Sequence, residues 1–417
     1  MMAGRRLSAV FVALSLTGLA HATQHERAPG LLPAEVARPL LDNDPGVSAA
    51  RAGLDVARAD ARGLTASPYE WTARATGQQR DTEDGGDYDE WNVGIERTIR
   101  LPGKAAADRK LASTSVAAAE AAYGEALHEA ARDLAALWVD WLAAERAHQL
   151  AAASVQYFEE SLAAVDKRTR AGDASRLDLG TARAELVEQR RLENDAKTAA
   201  TIAWTRLITR FPGLNRQPTP LPMPLPIEAD TTAWLERILS ESDELRIADV
   251  ALEMSRAEAA RARANRVPDP TLGAYTASEL GGREKLVGLT VTVPIPLPGG
   301  QRSTRNASAA ASAEAARFQT EAVRREYAAE IASAFAGARG AYNSLQIASD
   351  GAAAMQENAA LIQRAYTLGE VGLQDLLIAQ RRAASAADNA LQAQAQALHA
   401  YYGLVIDAHW VWDLEHE

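Results

Sequence analysis

The 417-residue sequence contains no cysteine. Disulfides, thiol nucleophiles and cysteine-ligated metals are thereby excluded, as is the N-terminal cysteine on which a bacterial lipoprotein carries its anchor. An exported chain of this size must then be held by packing alone. Basic charge is in deficit: 44 Lys and Arg stand against 55 Asp and Glu, a formal net charge of −11. That sign opposes nucleic acid, whose phosphates require a basic surface. Long apolar runs are missing too. The run "LSAVFVALSLTGLA" follows Arg5 and Arg6 and ends at the small-residue site Ala20-His21-Ala22. This is the pattern of a signal peptide over 1–22, with the mature start near Thr23. The run is shorter than the roughly 20 residues a membrane-spanning helix needs. No later stretch qualifies, so any entry into a membrane must be as a β-barrel.

Aromatic residues make up only 6%, and chemical motifs are absent. The seven histidines (His21, His25, His128, His148, His399, His409 and His416) are scattered, and no pair has the spacing of a helical metal site. His409 and His416, with Asp413 and Glu415, offer a weak set of metal ligands, but a solvated polar tail is the favoured reading. No nucleophile–base pair, phosphate loop or carboxylate dyad stands out. Neither catalysis nor a bound metal or cofactor is expected.

What is present is alanine, in helical spacing, and a duplication. Leu101-Pro102-Gly103 returns as Leu297-Pro298-Gly299, Gly172 and Asp178 return as Gly369 and Asp375, and "RAD" at Arg58 returns as "RAE" at Arg256, each about 197 residues further on. A tandem repeat of this size sets the architecture. The expected organisation is an N-terminal linker over 23–42, a first repeat over 43–211, a proline-rich connector over 212–228, a second repeat over 229–406 and a C-terminal tail over 407–417. The connector "RQPTPLPMPLPIE" alternates prolines and is expected to run extended.

Each repeat has one order of elements. An Ala/Arg-rich helix stops at proline, at Pro68 and at "VPDP" from Val267. Two strand-like runs follow, over about 69–101 and about 270–297. Trp91, Val93 and Ile95 alternate with Asn92, Gly94 and Glu96, and Val287, Leu289, Val291 and Val293 alternate with Gly288, Thr290 and Thr292. This is the two-residue period of a strand with one apolar and one polar face. After each Leu-Pro-Gly comes a long helical hairpin, over about 103–211 and about 299–406. Tyr123, Leu127, Ala130, Leu134, Leu137 and Trp141 step by three and four in the first. Its outgoing arm, from about Lys104 to about Arg170, predicts a rod on the order of 100 Å. In the second, Gly337, Gly340 and Gly351 weaken the helical reading locally. Four strands per chain are too few to close, since outer-membrane barrels need at least about eight. Open edges are not tolerated in lipid, so several chains must share one barrel, and strand counting alone permits a dimer.

This order, twice over, resembles the outer membrane factor family, the TolC-like channels. The resemblance rests on "IRLPGKAAADRK" and "VPIPLPGGQRSTRNA" after each strand pair and on the turns "GDASRLDLGTA" and "GEVGLQDLLIA", and it covers nearly the whole mature chain. It implies a mainly α protein with a membrane β-barrel portion, in which three chains close a twelve-stranded barrel above a long α-helical tunnel. It further implies a passive outer-membrane exit duct, extending into the periplasm and coupled through a periplasmic adaptor to an inner-membrane pump. The signal sequence without a lipid cysteine resembles the heavy-metal efflux subgroup, so the cargo is expected among heavy-metal cations or small toxic compounds. The rival reading is a periplasmic coiled-coil adaptor or scaffold, which usually carries one hairpin rather than two.

The resemblance also implies site residues. Asp375 matches the family position at the periplasmic gate, although the family's second acid three residues later is Ile378 here. Asp178 holds the equivalent half-repeat position. Both also sit where a helix dipole favours an acid, which accounts for Asp178 without further claim. Gly369, Val371, Gly372 and Leu373 match the tip that meets the adaptor, with Gly172, Ser175, Arg176 and Leu177 as the paired corner. Glycine there lets another backbone approach, and equally serves a helix–turn–helix corner. Trp71 and Trp91, near strand starts, are expected as membrane-interface aromatics, with ordinary strand residues as the alternative, whereas Trp138 and Trp141 read as packing.

Overall fold

A computed structural model describes residues 28–83, 85–227, 231–295, 300–412 and 414. Among the described residues, eight α-helices and one four-stranded antiparallel sheet follow in the order α1 (Ala34–Asp42), α2 (Pro45–Thr65), β1 (Thr72–Thr82), β2 (Gly86–Thr98), α3 (Pro102–Ala171), α4 (Arg176–Arg210), α5 (Thr232–Glu241), α6 (Asp243–Ala264), β3 (Thr271–Glu279), β4 (Glu284–Thr292), α7 (Gln301–Leu368) and α8 (Leu373–Asp407). A short 3-10 turn, Leu280–Gly282, joins β3 to β4. The chain packs as two compact units. One is built from the described residues of Met1–Ser48, Gly124–Ser242 and Ala328–Glu417, the other from Ala49–Tyr123 and Asp243–Tyr327. Among the described residues no helix is long and apolar enough to cross a membrane.

The second unit holds the sheet, in the order β1-β2-β3-β4. Every neighbouring pair is antiparallel, and the register places Ala75 opposite Val93, Val93 opposite Thr276, and Thr276 opposite Val287. The strands are shorter than the stretches read from sequence, because the flanking prolines cannot donate to a ladder. Pro270 precedes β3 and Pro294 follows β4, and Pro102 begins α3 as a first-turn proline whose missing N–H costs nothing. In this unit α2 ties to α3 through Arg51 and Tyr123 (3.0 Å), and α6 to α7 through Arg324 and Asp249 (2.7 Å).

The first unit holds the far parts of both hairpins. α7 runs through Gly337, Gly340 and Gly351 without a break. No heavy atom beyond the helix's own backbone comes within 4 Å of where a side chain would begin at these glycines. Their cost is one of backbone entropy, and a 68-residue helix absorbs it. Two segments differ from the sequence reading. The expected linker contains α1, whose Ala37 and Leu41 are fully buried; prolines at 33 and 39 obscure its periodicity. The expected polar tail is packed rather than solvated over its described residues. Val411, Trp412 and Leu414 are each 1% exposed, and the Trp412 indole donates to the Leu32 carbonyl at 2.7 Å. Four apolar residues in five positions, Trp410, Val411, Trp412 and Leu414, outweigh the flanking charges. The other tail residues named above, Asp413, Glu415 and His416, lie outside the described residues. The N-terminal segment is held likewise: Trp138 donates to the Gly30 carbonyl (2.9 Å) and Tyr402 to that of Pro29. Over its described residues the connector forms neither helix nor strand, and its Leu221 and Pro222 carbonyls accept from Gln394 at 3.1 and 2.8 Å.

Candidate functional site

The two features that carry chemistry are the faces of the sheet, in the second unit, and the hairpin tips, in the first. The register sorts the sheet by face. One face presents Ala73 and Ala75 of β1, Trp91, Val93 and Ile95 of β2, Leu272 and Ala274 of β3, and Val287, Leu289 and Val291 of β4. Val287 is 88% and Leu289 84% exposed. A continuous apolar face of this kind is not stable in water. Trp91 is 49% exposed towards one end of it. Trp71 lies just before β1, 64% exposed, with the Arg97 guanidinium 5.5 Å from its ring centroid.

The opposite face is polar. Arg74 bridges to Glu96 (3.1 Å), and Arg80 bridges to Glu90 (3.0 Å) and Glu279 (3.4 Å). Glu90, only 4% exposed, also accepts from Gln78 (2.7 Å) and from the Leu280 backbone (3.2 Å). It thus ties β1 and β2 to the β3–β4 turn. Tyr275 lies over Gly288 and Gly94, where a Cβ would meet its side chain. Gly288→Val is therefore expected to force Tyr275 aside and to cost about 1–3 kcal/mol. The loss is readable as a lower heating threshold for dissociation of the assembled protein, with Ala at the same site giving a smaller drop.

Where the sheet meets the helices, a buried ion network closes the unit. Asp269 accepts from the Tyr69 hydroxyl (2.7 Å), the Leu101 backbone N–H (3.0 Å), Arg100 (3.2 Å) and Lys104 (3.0 Å). Arg100 continues to Asp108 (2.7 Å), which also holds Arg261 (2.7 Å). Burial opposes ionisation of Asp269, but the bonds from Tyr69, the Leu101 N–H and Lys104 outweigh it and hold the carboxyl at about 2. Arg100, Leu101, Lys104 and Asp108 lie within "IRLPGKAAADRK" and Asp269 within "VPDP", but the sequence does not show that these two segments meet.

At the tips, α3 ends at Gly172 (φ +86°) and α7 at Gly369 (φ +78°). Each end closes with the same pair of bonds: Asp173 N–H to Arg168 O (2.8 Å) with Gly172 N–H to Thr169 O (3.2 Å), and Glu370 N–H to Ala365 O (2.9 Å) with Gly369 N–H to Tyr366 O (3.1 Å). This is a Schellman ending, which places glycine in the left-handed region. The repeated aspartates then cap the return helices. Asp178 accepts from the Ser175 N–H (3.0 Å) and hydroxyl (2.8 Å), while the Ser175 hydroxyl accepts from the Asp178 N–H (3.0 Å). That is a reciprocal capping box. Gly372 has no hydroxyl, so Asp375 makes only the bond to the Gly372 N–H, at 3.3 Å. Asp178 is half-buried and Asp375 exposed.

Of the tip residues, Leu373 is turned inward. It joins Val155, Phe158, Val165, Ala182, Leu186, Leu376 and Leu377 in the core beneath the tip. Val371 is half-buried; Ser175, Arg176, Gly172 and Gly369 are exposed, and Leu177 is 78% exposed. Leu368, which the turn pattern did not single out, is 67% exposed. The hairpins are latched above the tip by Tyr157, whose hydroxyl donates to Gln363, and by Arg168, 5.1 Å from the Tyr366 ring centroid. Trp138 and Trp141 are buried, their rings 5.1 Å apart.

The sequence profile of the outer membrane efflux protein family matches residues 36–210 and 234–405. The chain therefore belongs to that family, and it is an efflux channel protein of the bacterial outer membrane. Members of the family are trimeric channels rather than enzymes, and they work with periplasmic adaptors and inner-membrane pumps. Solved structures carry the same fold. CusC, described for the conformational changes that accompany folding and transmembrane channel formation, is 17% identical, with 90% of this chain and 92% of CusC covered at a TM-score of 0.74. A membrane protein from Pseudomonas aeruginosa is 20% identical, with 90% and 89% covered at 0.75. The open-state MtrE outer membrane channel of Neisseria gonorrhoeae is 21% identical, with 90% and 88% covered at 0.72. No curated protein sequence matches the chain.

Proposed function

We propose that three copies of this chain close one twelve-stranded barrel, and that the resulting duct receives cargo from a periplasmic adaptor and its inner-membrane pump through the hairpin tips. The observation that carries this reading is the sheet. Among the described residues β1 and β4 are each paired on one side only, and the apolar face between them is exposed. Edges and face are covered together if copies join edge to edge in lipid. The polar face then lines the lumen. Arg74 and Arg80 lie there against Glu90, Glu96, Glu279 and Glu284, with Glu279 directly opposite Glu284. An acidic balance favours cations, which supports heavy-metal or other cationic cargo over anions. The test is recovery and conductance. The protein is expected in the detergent-extracted outer membrane and to form conducting pores in planar bilayers; recovery from the soluble periplasm without detergent contradicts the reading.

At the tip, Asp375 is assigned to the gate and Asp178 to helix capping. Three copies of an exposed carboxylate at a narrow mouth attract cations and repel one another. The single 3.3 Å capping bond of Asp375 leaves it more open to the lumen than Asp178, which Ser175 holds on both sides. Asp375→Asn is expected to reduce block of the pore by divalent cations, whereas Asp178→Asn changes stability by about 1 kcal/mol and leaves block as it was. Equal block in wild type and Asp375→Asn removes the residue from the gate. Leu177, Leu368 and Val371 with the glycines of both turns form the surface offered to the adaptor. Gly372→Trp is expected to abolish crosslinking to it.

A further inference from the structure

In the second unit, the Asp269 clamp joins the departing end of β2 to the entering end of β3. Asp269 follows Pro268 just ahead of β3, and it holds Arg100 at 3.2 Å and Lys104 at 3.0 Å, on either side of the first Leu-Pro-Gly. The duplication writes the same parts at the two open edges of the sheet. Glu70 follows Pro68 just ahead of β1, and Arg302 and Arg305 follow the second Leu-Pro-Gly, after β4. All three are exposed. Among the described residues Arg302 reaches only the Arg266 carbonyl, at 3.5 Å, and Arg305 and Glu70 have no hydrogen bond or ion pair. Two carboxylates of the same chain line the cavity with these arginines. Asp269 is already fully engaged, and Glu258 has no ion pair to either arginine.

The helices at those edges each leave an apolar stripe uncovered. On α2 it is Ala49, Ala52, Val56, Ala59 and Gly63, in steps of three and four; on α7 it is Ser308, Ala311, Ala315, Phe318 and Ala322, in the same steps. Val56 is 60% and Phe318 59% exposed. Seams of this period are the kind that pack on one another between helices. An antiparallel junction, like the three within the chain, sets the end of β4 beside the start of β1, and so brings α7 of one copy to α2 of the next. We propose that Glu70 of one copy binds Arg302 and Arg305 of the neighbouring copy, as Asp269 binds Arg100 and Lys104 within one. The proposal rests on the edge-to-edge assembly argued above, and it adds the charges that fix the register of the junction. Each copy then gives its acid to one neighbour and its two arginines to the other, which is the head-to-tail contact a closed ring needs.

The test follows the full-length protein in detergent, with its mass read by light scattering and the temperature at which the chains separate read on gels. Glu70→Arg alone, or Arg302→Glu together with Arg305→Glu, sets like charges against one another and is expected to lower that temperature. The variant carrying all three changes restores opposite signs and is expected to regain most of the loss, which independent structural defects at the two sites would not do. Glu258→Gln is expected to leave the temperature as it was. Oligomers indifferent to the reversals, or a combined variant no more stable than its parents, overturn the clamp and leave the shared barrel standing. Wild-type chains that stay single in detergent overturn the shared barrel itself.

Discussion

Leu289→Arg is expected to remove the protein from the outer membrane. Leu289 sits near the middle of β4, 84% exposed on the apolar face. An arginine on the lipid face near the bilayer midplane costs about 2–4 kcal/mol, and every copy in a shared barrel carries the same defect. The effect should be loss of heat-resistant oligomer and of pore activity, with degradation of the unassembled chain in the periplasm. Thr290→Arg, one residue along but on the polar face, changes the lumen instead. It should assemble and alter conductance. The contrast separates facing from mere strand disruption. Similar behaviour of the two variants, whether both assemble or both fail, would falsify the face assignment.

Asp269→Ala is expected to be the most destabilising single change at the junction of sheet and helices. Asp269 takes bonds from Tyr69, Arg100, Lys104 and the Leu101 N–H, and its loss leaves a buried lysine and arginine short of a counter-charge. Removing one partner of a buried pair costs about 3–5 kcal/mol. The carboxyl titrates at about 2 in the fold, below the roughly 3.9 of an unfolded aspartate. A depressed value contributes stability that is full above the unfolded pKa and is lost as pH falls towards 2. The difference in unfolding free energy between wild type and Asp269→Asn should therefore be constant above about pH 4 and shrink below it. A difference that stays level down to pH 2 contradicts the assignment.

Much of this was legible in the chain because it is periodic or repeated. Alternation in Trp91–Glu96 and Val287–Val293 gave the sheet and its two faces, and the repeated glycine turns gave the tips. What escaped the reading depends on pairings between distant residues. Asp269 gathers partners from positions 69 to 104, Glu90 reaches the turn at Leu280, and His409 meets His128. The packed tail and α1 were missed because they are short, and proline or charge interrupts their pattern. The repeated aspartate is a case between the two. Its position was plain, but the unequal caps at Ser175 and Gly372, which divide the roles of Asp178 and Asp375, appear only as geometry.

The central claim is that this chain supplies four strands to a barrel it cannot close alone. In one copy, three strand spacings of about 4.8 Å separate β1 from β4, roughly 14 Å, well beyond the about 7 Å that a disulfide tolerates. The sequence has no cysteine, so a pair introduced at Ala73, Ala75 or Gly77 on β1 and at Val287, Leu289 or Val291 on β4 reports only contact between copies. At least one pair is expected to give, under oxidising conditions in the outer membrane, a reductant-sensitive ladder ending at three chains. Chains that remain single for every pair, with the sheet edges reactive to a soluble thiol reagent, would contradict it.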